Sequence, residues 1–249
     1  MRIKPTFRKL IFSNQLNEDL GHDVLHHQWQ NVKDIWNNNL NPSSNAIGIE
    51  RVLKLILILS QFIFPGIYIR ALFGSKGKLY KHIGVEIHVF LKLIISILIL
   101  SLGGYITSEG SFSFFKFWAF YMIFETVFYT GNLLFSEDVF AKPHSHKRNL
   151  ILIIVDYITL NLDFAIIFLM CNSLKTTIEV NGESVIKIID NARDAIYFSF
   201  ISSLTIGYGD ITPTESGRNL LIFHSLVILL FGVLFINFYL SRINNSAPN

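Results

Sequence analysis

The chain of 249 residues is 51% hydrophobic and 16% charged, with a net charge of +3. Soluble domains contain about 25% charged residues and disordered segments need low hydrophobicity, so the composition argues against both and favours a polytopic membrane protein. The mild charge, without a basic stripe, argues against a nucleic-acid partner, and the single cysteine, Cys171, excludes an intrachain disulfide and a CxxC motif.

Five apolar blocks follow a polar N-terminal segment. Residues 1–51 are rich in Asn, His and Gln and lack the apolar core and cleavage site of a signal peptide. The apolar blocks cover residues 52–73, 85–106, 112–135, 150–171 and 219–241. At about 1.5 Å per residue, each can cross a hydrocarbon core of about 30 Å as a helix. We expect three membrane helices within residues 52–148, a two-span domain at 149–243 and a short tail at 244–249.

The segment between the fourth and fifth blocks differs from its surroundings. Residues 172–191 are polar, and residues 193–204 form a moderately apolar stretch that is too short to span as a helix. Thr-Ile-Gly-Tyr-Gly-Asp follows at residues 205–210. A short helix and a glycine-rich extended strand between two spans indicate a re-entrant hairpin. Such a backbone is tolerated at membrane depth only where it is buried in protein or lines a water-filled path.

The glycine-rich strand has the chemistry to replace the hydration shell of an ion. Backbone carbonyls that point into a pore can do so, and aligning successive carbonyls requires dihedral angles that Gly207 and Gly209 accept at low steric cost. Thr205 adds a hydroxyl oxygen, and Tyr208 can point away from the pore and pack behind the strand. Because one strand cannot surround an ion, a single hairpin per chain implies a homotetramer.

Residues 202–213, SSLTIGYGDITP, resemble the selectivity filter of the potassium channel family. The resemblance covers about residues 149–242. It implies an all-α membrane protein with a tetrameric pore domain (outer helix, pore helix, filter, inner helix) preceded by about three further membrane helices. The carbonyls of Thr205, Ile206, Gly207 and Tyr208, with the Thr205 hydroxyl, would bind K⁺, and Gly209 would complete the filter. K⁺ would be the only metal ion, and no cofactor or catalytic residue is expected.

Two positions depart from the family pattern. Leu204 stands where the family usually has Thr or Ser, so we expect altered block by cations that bind in the cavity. Many members brace the Asp after the filter with a pore-helix Trp or Glu, and the matching positions here are taken as Phe198 and Ile201, which cannot donate that hydrogen bond. We therefore expect Asp210 to be held less firmly and the filter to be more prone to collapse.

Three residues of the fifth block are candidates for a role in the cavity or in gating. Gly232 is either a hinge, as the family often has near such a glycine, or a site of close helix packing, for which membrane helices favour small residues. His224 and Asn237 either line the aqueous cavity or hydrogen-bond a neighbouring helix, and a cavity histidine would titrate near neutral pH. No block carries Arg or Lys at every third position, so we do not expect steep voltage gating.

The apolar blocks also contain four ionisable residues that need partners inside the membrane. They are Lys92, Glu125, Asp156 and Asp163. Structural pairing of the acids with Lys92, or with polar residues of adjacent helices, is favoured over a proton or ion path beside the pore.

Charge placement predicts the orientation in the membrane. A filter near the external face places residues 172–191 outside and the C-terminus in the cytoplasm, with residues 70–84 and 136–149 also inside. Both of these inner segments carry Lys and Arg, whereas residues 107–111 carry neither. The block at 52–73, broken at Pro65, is expected to span, with a re-entrant or in-plane helix as the alternative. The expected location is the plasma membrane or an inner membrane.

The leading function is passive, potassium-selective conduction by a homotetramer in contact with membrane lipids, without steep voltage gating. Two alternatives stay open. A weakly selective cation channel is disfavoured by the intact Gly-Tyr-Gly, and a non-conducting pore-fold scaffold or receptor would be permitted by Leu204 and an unbraced Asp210. The sequence has no HExxH or GxSxG motif, so an enzyme is not expected.

Overall fold

The computed structural model describes residues 24–37, 48–74, 78–102, 109–135, 146–180, 183–236 and 240. The chain divides into two compact units, Met1–His88 and Val89–Asn249. The boundary between them falls within one long helix, Lys78–Leu102.

In its described residues, the first unit contains helices α1 (Val24–Asn37), α2 (Ile49–Ser60) and α3 (Pro65–Gly74), together with the first part of Lys78–Leu102. Arg51 of α2 donates through Nε to the carbonyl oxygen of Ile35 at 3.2 Å and through Nη2 to that of Trp36, which satisfies carbonyls at the end of α1. Helices α2 and α3 meet at a bend of 65°. The bend lies at Pro65, whose ring fits only the first turn of a helix. The predicted break in this block is confirmed, and its full span stays a prediction.

The second unit is built around a buried helix. It contains α4 (Lys78–Leu102, from Val89 onward), α5 (Glu109–Phe135) and α6 (His146–Met170). Every residue of α6 from Thr159 to Met170 is buried, and Phe164 and Phe168 are fully so. The apolar core of this unit therefore lies along α6.

Three helices in the described parts of the chain are both long and apolar enough to cross a membrane. They are Ile83–Leu102, Lys147–Met170 and Glu215–Val233, and α2 with α3 would add a fourth if the bent pair is one span. Helix α5 has 27 residues, which is long enough to span, but it is not among these candidates. Its span therefore stays a prediction. The mostly helical class predicted from the sequence is confirmed.

A three-stranded sheet was not predicted. It consists of β1 (Leu174–Val180), β2 (Glu183–Ile188) and β3 (Ile211–Pro213), in the order β2-β1-β3 with antiparallel neighbours. The hairpin β1–β2 occupies the stretch that was described above only as polar. Its sequence is rich in Thr, Val and Ile, which favour strands, and it contains an Asn-Gly pair at residues 181–182, a strong hairpin signal.

Two helices frame the glycine-rich segment. Helix α7 (Ala192–Ser203) precedes it, within one residue of the predicted 193–204, and is called the pore helix below. Helix α8 (Glu215–Leu229) follows it and continues as a π-helix over Leu230–Ile236. The inner helix thus begins four residues before the predicted block, because Thr214 caps it by accepting a hydrogen bond from the backbone N–H of Gly217 at 3.2 Å.

Candidate functional site

The pore helix packs against α6 through polar and aromatic contacts. The Ser199 hydroxyl donates to the carbonyl oxygen of Asn161 at 2.8 Å, and the Tyr157 hydroxyl donates to Ser203 Oγ at 3.1 Å. The rings of Phe168 and Phe198 meet edge to face with centroids 5.2 Å apart. These contacts fix α7 against a helix that is itself buried, so the segment leaving α7 starts from a rigid support.

The ends of α7 are both well defined. At its N-terminus, the Asn191 side chain accepts a hydrogen bond from the backbone N–H of Asp194 at 2.9 Å. At its C-terminus, Thr205 N donates to Ser202 O at 3.1 Å and Ile206 N donates to Ile201 O at 2.9 Å. The glycine-rich strand therefore leaves directly from the C-terminal end of the helix, where the helix dipole favours a cation.

The backbone of the predicted filter is left-handed at every second residue. The φ angles are +57° at Thr205, +57° at Gly207 and +82° at Gly209. The prediction that the two glycines supply unusual dihedral angles is confirmed. Thr205 was not expected there, and a side chain in this region costs about 1–2 kcal/mol. Such an alternation rotates successive peptide planes so that their carbonyls can share one side of the strand.

The filter segment lies on the surface of the single chain. All residues from Leu204 to Asp210 are exposed, and the Tyr208 side chain is 70% exposed. The prediction that Tyr208 packs behind the strand is therefore not met within one chain. Leu204, the departure from the family pattern, ends α7 and has 56% of its surface exposed.

Asp210 is held through its backbone carbonyl, and the expectation that it lacks a pore-helix brace stays a prediction. The Tyr197 side chain lies near Asp210, and desolvation, followed by the influence of the Asp210 carboxyl group, raises the pKa of Tyr197. The Thr176 hydroxyl donates to the carbonyl oxygen of Asp210 at 2.8 Å. Phe198 and Ile201, which were taken as the bracing positions, are buried instead. Tyr197 lies one residue, and about 100°, from Phe198 on the pore helix.

The strand that leaves the filter is tied to the end of α6. β3 pairs with β1, Thr176 opposite Ile211. The Thr214 N–H donates to Ser173 O at 2.8 Å. Ser173 is also approached by Gly217, where an added Cβ would lie 2.2 Å from the same oxygen. The start of the inner helix is therefore packed directly against the loop that follows the outer helix.

The inner-helix candidates have different outcomes. His224 is fully buried between Phe164 and Phe168, with ring centroids 4.6 and 5.7 Å away, so within this chain it does not line an aqueous cavity. Gly232 lies in the π-helix, and a Cβ added there would meet no atom within 4 Å. Close packing within the chain therefore does not account for this glycine, whereas π-helical segments are frequent at functional sites. Asn237 lies outside the described residues.

A protein-family profile described as "Ion channel" matches residues 157–245. This range runs from Tyr157 of the outer helix through the sheet, the pore helix and the filter into the inner helix. Residues 157–245 form an ion-channel domain. Together with the apolar helices, the match makes the chain an integral membrane protein.

Two curated relatives are potassium channels. The chain is similar to a hyperpolarization-activated voltage-gated potassium channel of Methanocaldococcus jannaschii, with 33% identity over 73 residues, which is 29% of this chain and 35% of the relative. It is also similar to two-pore potassium channel 4 of Arabidopsis thaliana, with 40% identity over 50 residues, which is 20% of this chain and 16% of the relative. No solved structure matches the chain significantly.

Proposed function

We propose that the chain assembles as a homotetramer that conducts K⁺ passively and in preference to Na⁺. The observation that carries the proposal is the left-handed backbone at Thr205, Gly207 and Gly209 within an exposed Thr-Ile-Gly-Tyr-Gly strand. An exposed ion-binding strand in an otherwise well-packed domain needs partner copies to complete it, and four strands around an axis give an ion a full set of carbonyl ligands. The printed names of the two relatives support potassium as the ion.

The proposed channel is not steeply voltage-gated. The Methanocaldococcus relative is named as voltage-gated. Each elementary charge that crosses the membrane gains only about 2.3 kcal/mol per 100 mV, and the described helices of this chain carry no regular series of Arg or Lys. We place the protein in the plasma membrane or an inner membrane, with the C-terminus in the cytoplasm, because the basic segments follow the positive-inside rule.

The test is ion flux into liposomes that contain the purified protein. We expect K⁺ uptake that Na⁺ does not match and that Gly207→Ala abolishes, because alanine disfavours the left-handed conformation at φ +57°. Val185→Ala, an exposed position of the hairpin, is the control that should leave flux unchanged.

Three other outcomes have defined meanings. Equal uptake of Na⁺ and K⁺ would identify a weakly selective cation channel. Calorimetric titration of K⁺ separates the remaining two. K⁺ binding that Gly207→Ala removes, without flux, would indicate a closed channel. Neither binding nor flux would overturn the channel proposal and favour a non-conducting scaffold or receptor.

A further inference from the structure

A cluster of ionisable side chains is buried between three helices of the second unit. It contains Lys92 of α4, Glu125 of α5, and Asp156 and Asp163 of α6, none of which is more than 5% exposed. Lys92 Nζ lies 3.0 Å from Asp156 Oδ1 and donates to Thr126 Oγ1 at 2.8 Å. The predicted pairing between Lys92 and a buried acid is therefore confirmed for Asp156.

The charges of this cluster do not balance. In the described part of the chain, one amine faces three carboxyl groups, so a fully ionised cluster would have a net charge of −2. Uncompensated charges are costly inside a protein and more so within a membrane. A buried carboxyl group that lacks a cation avoids this cost by binding a proton.

Asp163 is the carboxyl group whose surroundings best fit a bound proton. Its Oδ1 lies 2.6 Å from Ser96 Oγ, which also lies 3.1 Å from the carbonyl oxygen of Lys92. The serine hydroxyl has one hydrogen and cannot donate fully to both oxygens. With Ser96 as the donor, its one hydrogen is shared between the two oxygens. Both contacts are full hydrogen bonds when a protonated Asp163 donates from Oδ1 to Ser96 and Ser96 donates to Lys92 O.

The second oxygen of the Asp163 carboxyl group supports the same protonation state. Asp163 is 0% exposed, and its Oδ2 has no hydrogen-bond partner among the residues that the structure describes. In an ionised carboxylate, Oδ2 would carry negative charge while buried and without a hydrogen bond. The carbonyl oxygen of a neutral carboxyl group has a far smaller desolvation penalty. Asp156, by contrast, lies beside the Lys92 ammonium group.

We propose that Asp163 is a proton-binding site within the membrane and that its carboxyl group carries a proton at neutral pH. The ligand is a proton taken from water, which forms an O–H bond at Oδ1. The charged groups that act on Asp163 are Lys92 from α4, Glu125 from α5 and Asp156 from α6 itself. On the side of the inner helix, the His224 ring meets Phe164, the next residue along α6, edge to face.

The site is close to the support of the filter. Asp163 lies two residues from Asn161, whose carbonyl oxygen accepts the Ser199 hydroxyl of the pore helix. Release of the proton leaves a negative charge on the Asp163 side chain. This side chain contacts Ser96 of α4 and follows Asn161 of α6 by two residues. An effect of that charge on conduction rests on the proposed function, but the binding of the proton does not.

The test is infrared difference spectroscopy of the full chain in lipid at neutral pH. We expect an absorption band of a protonated carboxyl group that shifts in D₂O and disappears in Asp163→Asn. Asp190→Asn is the matched control, because the Asp190 side chain is 72% exposed and lies near Lys187. The control should leave the band in place. A spectrum without such a band, or a band that Asp163→Asn leaves unchanged, would overturn the proposal, whether or not the protein conducts ions.

Unfolding in lipid nanodiscs gives a second, independent readout. Asparagine is a neutral isostere, so Asp163→Asn should keep the unfolding midpoint of the parent, whereas Asp156→Asn removes the partner of Lys92 and should lower it. Equal losses in the two variants would contradict a neutral Asp163. If Asp163→Asn does not fold, Ser96→Ala takes its place in the infrared test: the band should shift, and an unshifted band would refute the contact with Asp163.

Discussion

Gly217→Ala is expected to loosen the junction between the outer and inner helices. A Cβ at this position would lie 2.2 Å from the carbonyl oxygen of Ser173 and 3.1 Å from its side chain. Carbon and oxygen atoms in contact are about 3.3–3.6 Å apart. The start of α8 or the Ser173 loop must therefore move by about 1 Å.

The cost follows from what that movement breaks. Ser173 O accepts the backbone N–H of Thr214 at 2.8 Å, and Ser173 is itself buried. Overpacking costs about 1–3 kcal/mol, and the lost hydrogen bond costs about 1 kcal/mol. The better helix propensity of alanine offsets up to about 1 kcal/mol. The expected net loss in the free energy of unfolding is about 2 kcal/mol.

The assay is denaturant-induced unfolding of the protein in lipid nanodiscs, followed by circular dichroism. Gly232→Ala is the matched control, since an added Cβ there meets no atom within 4 Å of the same chain. It should be neutral or slightly stabilising. A Gly217→Ala variant that is as stable as the parent, alongside a normal control, would refute the close seating of α8 on Ser173.

Three further substitutions test the filter surroundings and the buried ion pair. Tyr197→Phe removes a hydroxyl group that lies near Asp210 and should speed the loss of K⁺ flux in low external K⁺. Flux as persistent as in the parent would contradict a role of this hydroxyl in holding Asp210. Lys92→Met leaves Asp156 without its partner and should lower the free energy of unfolding by about 3–5 kcal/mol. Adding Asp156→Asn should restore most of that stability, and a double variant no better than the single one would count against the pair. Leu204→Thr adds a hydroxyl group below the filter and should change the block of K⁺ flux by a quaternary ammonium ion. Unchanged block would contradict a role of Leu204 in cation binding in the cavity.

The parts of the site that could be predicted are those whose chemistry is local. The pore helix and the left-handed glycines follow from a short apolar stretch and a Gly-x-Gly spacing, which have few other structural solutions. The pairing of Lys92 with a buried acid could also be predicted, because a charge inside a membrane requires an opposite one.

The parts that were missed depend on helix phase or on tertiary packing. Tyr197, which lies near Asp210, was not singled out because attention fell on Phe198 and Ile201, and a single residue turns a helix by about 100°. The polarity of His224 left open whether it lines an aqueous cavity or hydrogen-bonds a neighbouring helix, and only the structure shows that it packs against Phe164 and Phe168. The Asn-Gly pair of the hairpin β1–β2 is a sequence signal for a β-turn, but the segment was interpreted from its polar composition alone.

The burial of α6 determines how the lipid bilayer can act on this protein. A helix that faces lipid exposes a residue at least every turn, yet Thr159–Met170 are buried without interruption over more than three turns. Acyl chains therefore have no direct contact with this half of α6, because the neighbouring helices surround it. A change in bilayer thickness can affect α6, the helix that supports the filter, only by tilting or shifting these neighbouring helices. Sensitivity to lipid composition should accordingly map to the lipid-facing side chains of the neighbouring helices rather than to α6.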